Sequence, residues 1–449
     1  MDVTLQWNAN TEPDLCGYMV YYDTDSPGDP YENVYVVPLE ELIDADNPEY
    51  TLTGLDPEKY YYFAVAAYDS EEFRSDYSDE VNTVPPVYFP YVISGDEWET
   101  EICVINTSDS LTIKGSFRAY SDTGSRVSEV IDFSIVPNGR REITVGDEFI
   151  DHGSIDYIVF ETNSDAIVGY TKLFIEGHYR VAMPAVPESD VNDGNMYISH
   201  IASHGEGEAW YTGVSFLNTT SSGKNLTIEF NNGQKKEISL EAKEQRSFAI
   251  RNLFDSGQPQ PDITSAVVTN TWGVIGLEFF INNVRHWLSS IMLKDDTANR
   301  IYYPHIAVED GWTTGIVAYN HFDDLCDITV IPYDETGSVL LPVHYDTIGV
   351  REKHIGVISD FGLAESTAWF EIEASHPING IQLFAKKNQM AGFAGFGESE
   401  TEGVFPKLER DGWTGIVLVN VTQHPADVTV TAYNDNGIAV ASTNITLNA

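Results

Sequence analysis

The chain is poor in three things. It has 3 cysteines in 449 residues, and only 24 Lys+Arg against 70 Asp+Glu. It also lacks any apolar run near the ~20 residues that a membrane-spanning helix needs. Each shortage excludes something. Cys16, Cys103 and Cys326 are odd in number and far apart, so no disulfide framework is expected; they read as small apolar strand residues. A formal net charge of −46 repels nucleic acid and anionic lipid, so neither is expected as a partner. Membrane insertion is not expected either. Met1 runs almost at once into a strand pattern with no basic-then-apolar leader, the start expected of a mature or trimmed chain.

Signatures of catalysis are also missing. There is no Gly-x-Ser-x-Gly elbow, phosphate loop, dinucleotide fingerprint or His-Glu-x-x-His. Carboxylates are too numerous for any pair to mark a glycosidase. No enzyme activity is expected.

What is present is a repeat. Gly311-Trp312-Thr313-Thr314-Gly315-Ile316-Val317-Ala318-Tyr319-Asn320 recurs closely from Trp413 to Asn420, and more loosely from Trp98 to Asn106 and from Trp210 to Asn218. The tryptophans stand 112, 102 and 101 residues apart, so the period is that of whole domains, not of short solenoid repeats. Each unit contains short alternating apolar runs and a hairpin turn: Ser121 to Gly124, Asn231 to Gly233, Asp334 to Gly337, Asn434 to Gly437. About eight strands per unit fit a β-sandwich. The rival is a β-propeller of seven half-units. First halves resemble first halves and not second halves, which argues against blades.

The expected architecture is all-β: tandem immunoglobulin-like β-sandwich domains in a linear array. The expected domains are 1–86, repeat 1 at 87–190, repeat 2 at 191–300, repeat 3 at 301–400 and an incomplete half repeat at 401–449. Hydrophobic content of 42% is enough to build these cores. The tryptophans are expected in the sandwich cores. The asparagines that follow them are expected to close a strand by bonding the next turn. Asn106, Asn218 and Asn420, with Asn225 and Asn444, also match the glycosylation acceptor pattern, a match that follows for the first three from the repeat itself.

Residues 1–86 differ from the repeats. They hold Trp7, the strand Gly17-Tyr18-Met19-Val20-Tyr21-Tyr22, the series Leu55, Pro57, Tyr61, Phe63, Val65, Ala67, and the stretch Ser75 to Val81. Together these resemble a fibronectin type III domain. The resemblance implies a seven-stranded sandwich, Tyr61 as the tyrosine corner, and a spacer or binding role without chemistry. The repeats themselves resemble tandem sandwich repeats of secreted bacterial surface proteins.

Two acidic clusters lie in this module. Asp23, Asp25 and Asp29 on a Gly/Pro loop are spaced to converge on calcium, with a solvated acidic turn as the other reading. Asp44, Asp46 and Glu49 form a weaker cluster. His200, His204 and His305 are the only suggestive histidines.

The function expected from these readings is a non-catalytic extracellular or cell-surface structural and adhesive protein, with surface proteins or glycans as partners. Two alternatives stay open: the accessory region of a larger secreted hydrolase, and a subunit that exchanges strands in an extracellular filament. For the half repeat three outcomes are expected: continuation in a longer chain, packing onto repeat 3, or self-association with a second chain.

Overall fold

The structure is a computed structural model. It describes residues 2–24, 30–56, 61–71, 73–78, 80–84, 86–162, 164–202, 209–254, 257–408 and 414–448. It is all-β, with antiparallel sheets throughout. No helix among the described residues is long and apolar enough to cross a membrane.

The first module has a two-stranded sheet, Val3–Gln6 with Glu49–Leu52. Facing it is a four-stranded sheet in the order Asn33–Pro38, Leu15–Asp23, Tyr62–Asp69, Val81–Asn82. That makes six described strands where the resemblance implied seven. Leu5, Tyr18, Val20, Phe63 and Val65 fill the space between the sheets. Tyr61 lies in this core, and the Asp56 amide donates to its hydroxyl at 2.9 Å. That bond back to the backbone a few residues upstream is the one a tyrosine corner makes.

Each full repeat is two facing sheets around its own core, not a pair of propeller blades. In repeat 1, the sheet built on Ile113–Tyr120 and Tyr157–Thr162 faces the sheet Arg140–Thr144, Glu99–Asn106, Ile167–Ile175, Tyr179–Pro184. Repeat 2 copies the second sheet as Gln245–Ala249, Trp210–Asn218, Val274–Asn282, Trp287–Leu293. Repeat 3 copies it as Lys353–Val357, Thr313–Tyr319, Trp369–Lys386, Gln389–Ala394. The 18-residue strand Trp369–Lys386 serves both sheets of repeat 3, pairing with Cys326–Tyr333 through its first part and with Thr313–Tyr319 through its second.

Burial patterns explain the sequence patterns. Cys326–Tyr333 alternates buried and less buried residues, as a strand with one covered face does. The strands Glu99–Asn106, Trp210–Asn218 and Thr313–Tyr319 are instead buried along nearly their whole length. One face of each looks into its own core. The other is covered by the strand's surroundings in the assembled chain, which is why these strings read as continuous apolar runs.

Of the outcomes expected for the half repeat, the described residues show contacts with repeat 1 rather than repeat 3. The Arg140 amide of repeat 1 donates to Asp435 O at 3.0 Å, and the Arg140 guanidinium donates to Pro406 O at 2.9 Å. The end of the chain therefore returns to its first repeat. The first module also touches repeat 1, where the Tyr62 hydroxyl donates to Glu161, which is paired with Arg118.

Candidate functional site

The predicted metal residues are only partly within view. Asp23 is buried, and its carboxylate accepts the amides of Thr24 at 2.6 Å and Glu32 at 3.2 Å. Asp25 and Asp29 lie outside the described residues. In the second cluster Asp44 accepts from the Asp46 amide at 2.9 Å and from Asn47 Nδ2 at 3.0 Å. These bonds, the Asn47 side chain first, hold the Asp44 carboxyl below the usual range. No group of three or more His, Cys, Asp or Glu among the described residues is placed to hold a metal.

The histidine set does not converge. His204 lies outside the described residues. His200 packs on Phe280 and lies against Lys353, whereas His305 packs on Phe384. Burial holds the His305 imidazole below its ordinary value. Cys103 and Cys326 are buried in strands, and burial pushes the Cys103 thiol up to about 12. A thiol held that high is a poor nucleophile at neutral pH.

The repeated asparagines have a structural task. Asn320 Oδ1 accepts the amide of Phe322, two residues on, at 3.0 Å. Its Nδ2 donates to Asp324 O at 2.7 Å and to Gly349 O at 2.9 Å. Asn106, Asn218 and Asn420 make the same set: an i+2 amide received, one nearby carbonyl and one distant carbonyl bound. The side chains of Asn106, Asn218 and Asn320 each tie a strand end to its own turn and to the loop before another strand. Asn106 and Asn218 are fully buried, so their amides are unavailable for glycosylation in the folded chain.

Among the described residues, Trp98, Trp210 and Trp312 are not in the sandwich cores, contrary to the sequence expectation. Trp98 stacks on Tyr179 at 5.5 Å and packs, half-buried, into a cluster that joins Leu173 and Met183 of repeat 1 to Phe279 and Leu288 of repeat 2. Trp210 meets Trp287 at 5.6 Å in a cluster with Ile381 and Met390 of repeat 3. Trp312 is half-buried with Lys386 over its ring, and Trp413 lies outside the described residues. Trp98 and Trp210 thus sit at the seam between one unit and the next.

The seams repeat, and this is the feature the sequence hid. Arg140, Gln245 and Lys353 are structural equivalents: each opens its strand opposite the residue before the repeated asparagine, namely Ile105, Leu217 and Tyr319. Each reaches into a neighbouring unit. Gln245 of repeat 2 donates its amide to Asp122 O at 2.7 Å and its side chain to Pro90 O of repeat 1. Arg140 of repeat 1 makes the same two bonds, to Asp435 O and Pro406 O of the half repeat. Lys353 of repeat 3 donates to Thr264 O and lies 2.9 Å from His200 Nδ1, both in repeat 2. The half repeat therefore sits on repeat 1 as repeat 1 sits on repeat 2. The one local signal is a left-handed residue two positions earlier in each case: Asn138, Lys243 and Arg351.

Seam chemistry varies. Where the half repeat meets repeat 1, Glu101 binds Lys172 at 2.6 Å and Lys407 at 2.7 Å and accepts from Tyr170 at 2.6 Å. Burial opposes the charge, but these bonds win and pull the Glu101 carboxyl down to about 2. At the seam of repeats 2 and 3, Glu278 is fully buried, and burial raises its carboxyl well above the usual range. Burial there also pulls the Lys353 ammonium down to about 7, against the attraction of Glu278.

Comparison with known proteins adds little to this geometry. No family model matches the chain, and no curated protein matches it. Among solved structures, the crystal structure of alpha-L-rhamnosidase from Streptomyces avermitilis complexed with L-rhamnose aligns at 8% identity and a TM-score of 0.14. The alignment covers 81% of this chain and 53% of that one, so the chain spans about half the length of the rhamnosidase.

Proposed function

We propose that this chain is a non-catalytic structural and adhesive protein of the extracellular space or the cell surface. The observation that carries the reading is the repeated seam. The same strand-opening position binds the same backbone acceptors at two successive junctions, so sandwich units are seated on one another through a repeated contact. Such a body suits display of binding surfaces to surface proteins or glycans. The net charge of −46 suits a saline exterior that screens self-repulsion. Within this reading, residues 1–86 are a fibronectin type III spacer, supported by the Tyr61 bond, and the repeats are of the surface-protein kind. Protease shaving of intact cells tests the location. Peptides of this chain released before lysis are expected; a chain recovered only after lysis overturns the proposal.

A second reading, strand exchange between copies, is favoured by one observation. Ile416 and Val417 of the half repeat are exposed, and among the described residues 415–421 enter no ladder. Such an apolar, unpaired segment is a template for another chain. Light scattering on the full chain and on a deletion of 401–449 decides it. Concentration-dependent association that the deletion abolishes is expected; a monomer at every concentration overturns it.

A further inference from the structure

Every seam joins two unlike faces. One is the outer face of a unit's first sheet, and the other is the outer face of a second sheet that covers it. Between repeats 1 and 2 the receiving face is Tyr88, Tyr157, Val159 and Val186, and Leu217 and Ile275 cover it. Between repeats 2 and 3 the packing is looser, with a cavity of about 150 Å³ lined in part by Tyr197, Tyr319 and His321. The two faces are nonetheless the same. Tyr197 pairs with Val267 as Tyr88 pairs with Val159, and Tyr319 stands where Leu217 does. The half repeat in turn is the receiving partner of repeat 1, through the Pro406 and Asp435 carbonyls that Arg140 binds.

Among the described residues one face of each kind is left over. The receiving face belongs to repeat 3. Tyr302 pairs with Glu371 on one side and Phe396 on the other, as Tyr88 pairs with Val159 and Val186. Trp369 stacks on its cross-strand partner Tyr333 at 3.9 Å, as Tyr157 stacks on Tyr120 at 5.1 Å. In repeat 1 this face is shut from water: Tyr157 is 1% exposed, Tyr88 and Val186 3% each. In repeat 3 Phe396 is 50% exposed, and Tyr302 and Trp369 are half-buried. Glu371 replaces Val159, but it is already buried and accepts the Tyr333 hydroxyl at 2.8 Å, so covering the rings beside it adds little desolvation there.

The covering face belongs to the half repeat. Ile416 and Leu418 correspond to the core residues Ile316 and Ala318. Val417 and Val419 correspond to Val317 and Tyr319, which face repeat 2 across the seam. Val417 is exposed and Val419 half-buried, and residues 415–421 carry no charge.

We propose that the Tyr302, Trp369 and Phe396 face of repeat 3 receives the half repeat of a second copy, with Val417 and Val419 over the rings, so that copies join head to tail. The earlier seams show what covers such a face: the strand that runs up to the repeated asparagine. The chain's own half repeat is held at the other end of the series of seams, on repeat 1, by Arg140 and by the bond of Lys407 to Glu101. A contact between unlike faces that does not close on itself builds a filament, not a dimer. The inference rests on the self-association reading and names the surface it would use, a sheet face and not a strand edge.

The test is sedimentation velocity on the full chain over a range of concentrations, in ~0.15 M salt, where charges are screened beyond about 8 Å. The wild-type chain is expected to grow past the dimer as concentration rises. Phe396→Glu blocks the receiving face and Val417→Glu the covering one. Both positions are exposed, so both variants are expected to keep the wild-type melting temperature. Each variant alone is expected to associate at least about tenfold more weakly, as when a central contact is lost. Mixed together they retain one good face of each kind and are expected to form one-to-one dimers and nothing larger. If Phe396→Glu does not fold, Tyr302→Glu takes its place. A folded receiving-face variant that associates like the wild type, or a mixture that stays monomeric or grows past the dimer, overturns the proposal and leaves strand exchange standing. A wild-type chain that is monomeric at every concentration overturns both.

Discussion

Repeat 3 and the half repeat carry nearly the same string of residues and end in different environments. Ile316 and Val317 are 0% and 2% exposed; their counterparts Ile416 and Val417 are 37% and 43% exposed. Thr313–Tyr319 is a central strand flanked by Lys353–Val357 and Trp369–Lys386. Residues 415–421 have no such flanks among the described residues, although the hairpin that follows, Ala426–Tyr433 with Ala439–Leu447, forms in both units' style. Hairpins are local and form from their own turn, whereas a central strand exists only when two distant strands arrive on either side. The asparagine belongs to the local part. Asn420 keeps all three bonds of Asn320.

Paired substitutions test how far the two environments differ. The largest contrast is expected for Ile316→Ala against Ile416→Ala. The first should cost roughly 2–5 kcal/mol, as cavity-forming changes do; the second should fall within about 0.5 kcal/mol, as surface changes do. Urea unfolding of the full chain measures both, and equal shifts would mean that Ile416 is covered in solution. Next come the asparagines. Asn320→Ala strands the carbonyls of Asp324 and Gly349 at a cost of about 1–3 kcal/mol, and Asn420→Ala should cost less because water reaches its partners.

Seating of the half repeat on repeat 1 should depend on pH. The Glu101 carboxyl is lowered in the folded chain, to about 2 from an ordinary 4.5. Its stabilising contribution is therefore complete above pH 4.5 and is lost as pH falls from there toward 2. Limited proteolysis across that window should release the half repeat progressively, and Glu101→Gln should flatten the profile. Tyr61→Phe removes the bond from the Asp56 amide in the first module, which contains neither seam nor repeat, and is expected to cost about 0.5–1.5 kcal/mol in a urea melt of residues 1–86. The smallest effect concerns calcium at Asp23, Asp25 and Asp29. A melting temperature a few degrees higher in calcium than in chelator, at matched ionic strength, is expected; identical melts would remove the ion.

Much of this protein was legible from pattern. The hairpin turns, the alternation in Cys326–Tyr333 and the Trp-to-Asn spacing are local or periodic signals, and they led to antiparallel sandwiches in repeats. The role of the asparagines was legible too, because an amide at a strand end has few other partners than the turn beside it. The tryptophans were misplaced for a physical reason. A core and a seam both remove an indole from water, and a sequence records only that it is removed. Arg140, Gln245 and Lys353 share a position and a donor role but not a residue type, so no motif could reveal them as one contact.

Strands, turns and the repeating unit follow from residues a few positions apart, and local pattern was enough to place them. Which unit sits on which, the return of the half repeat to the first repeat, and the contrast between an apolar seam and one open around His321 emerge only in the folded chain. Those outcomes depend on pairs of residues separated by a hundred positions or more, such as Gln245 with Pro90 and Arg140 with Pro406, and no pattern of neighbouring residues specifies the distant partner.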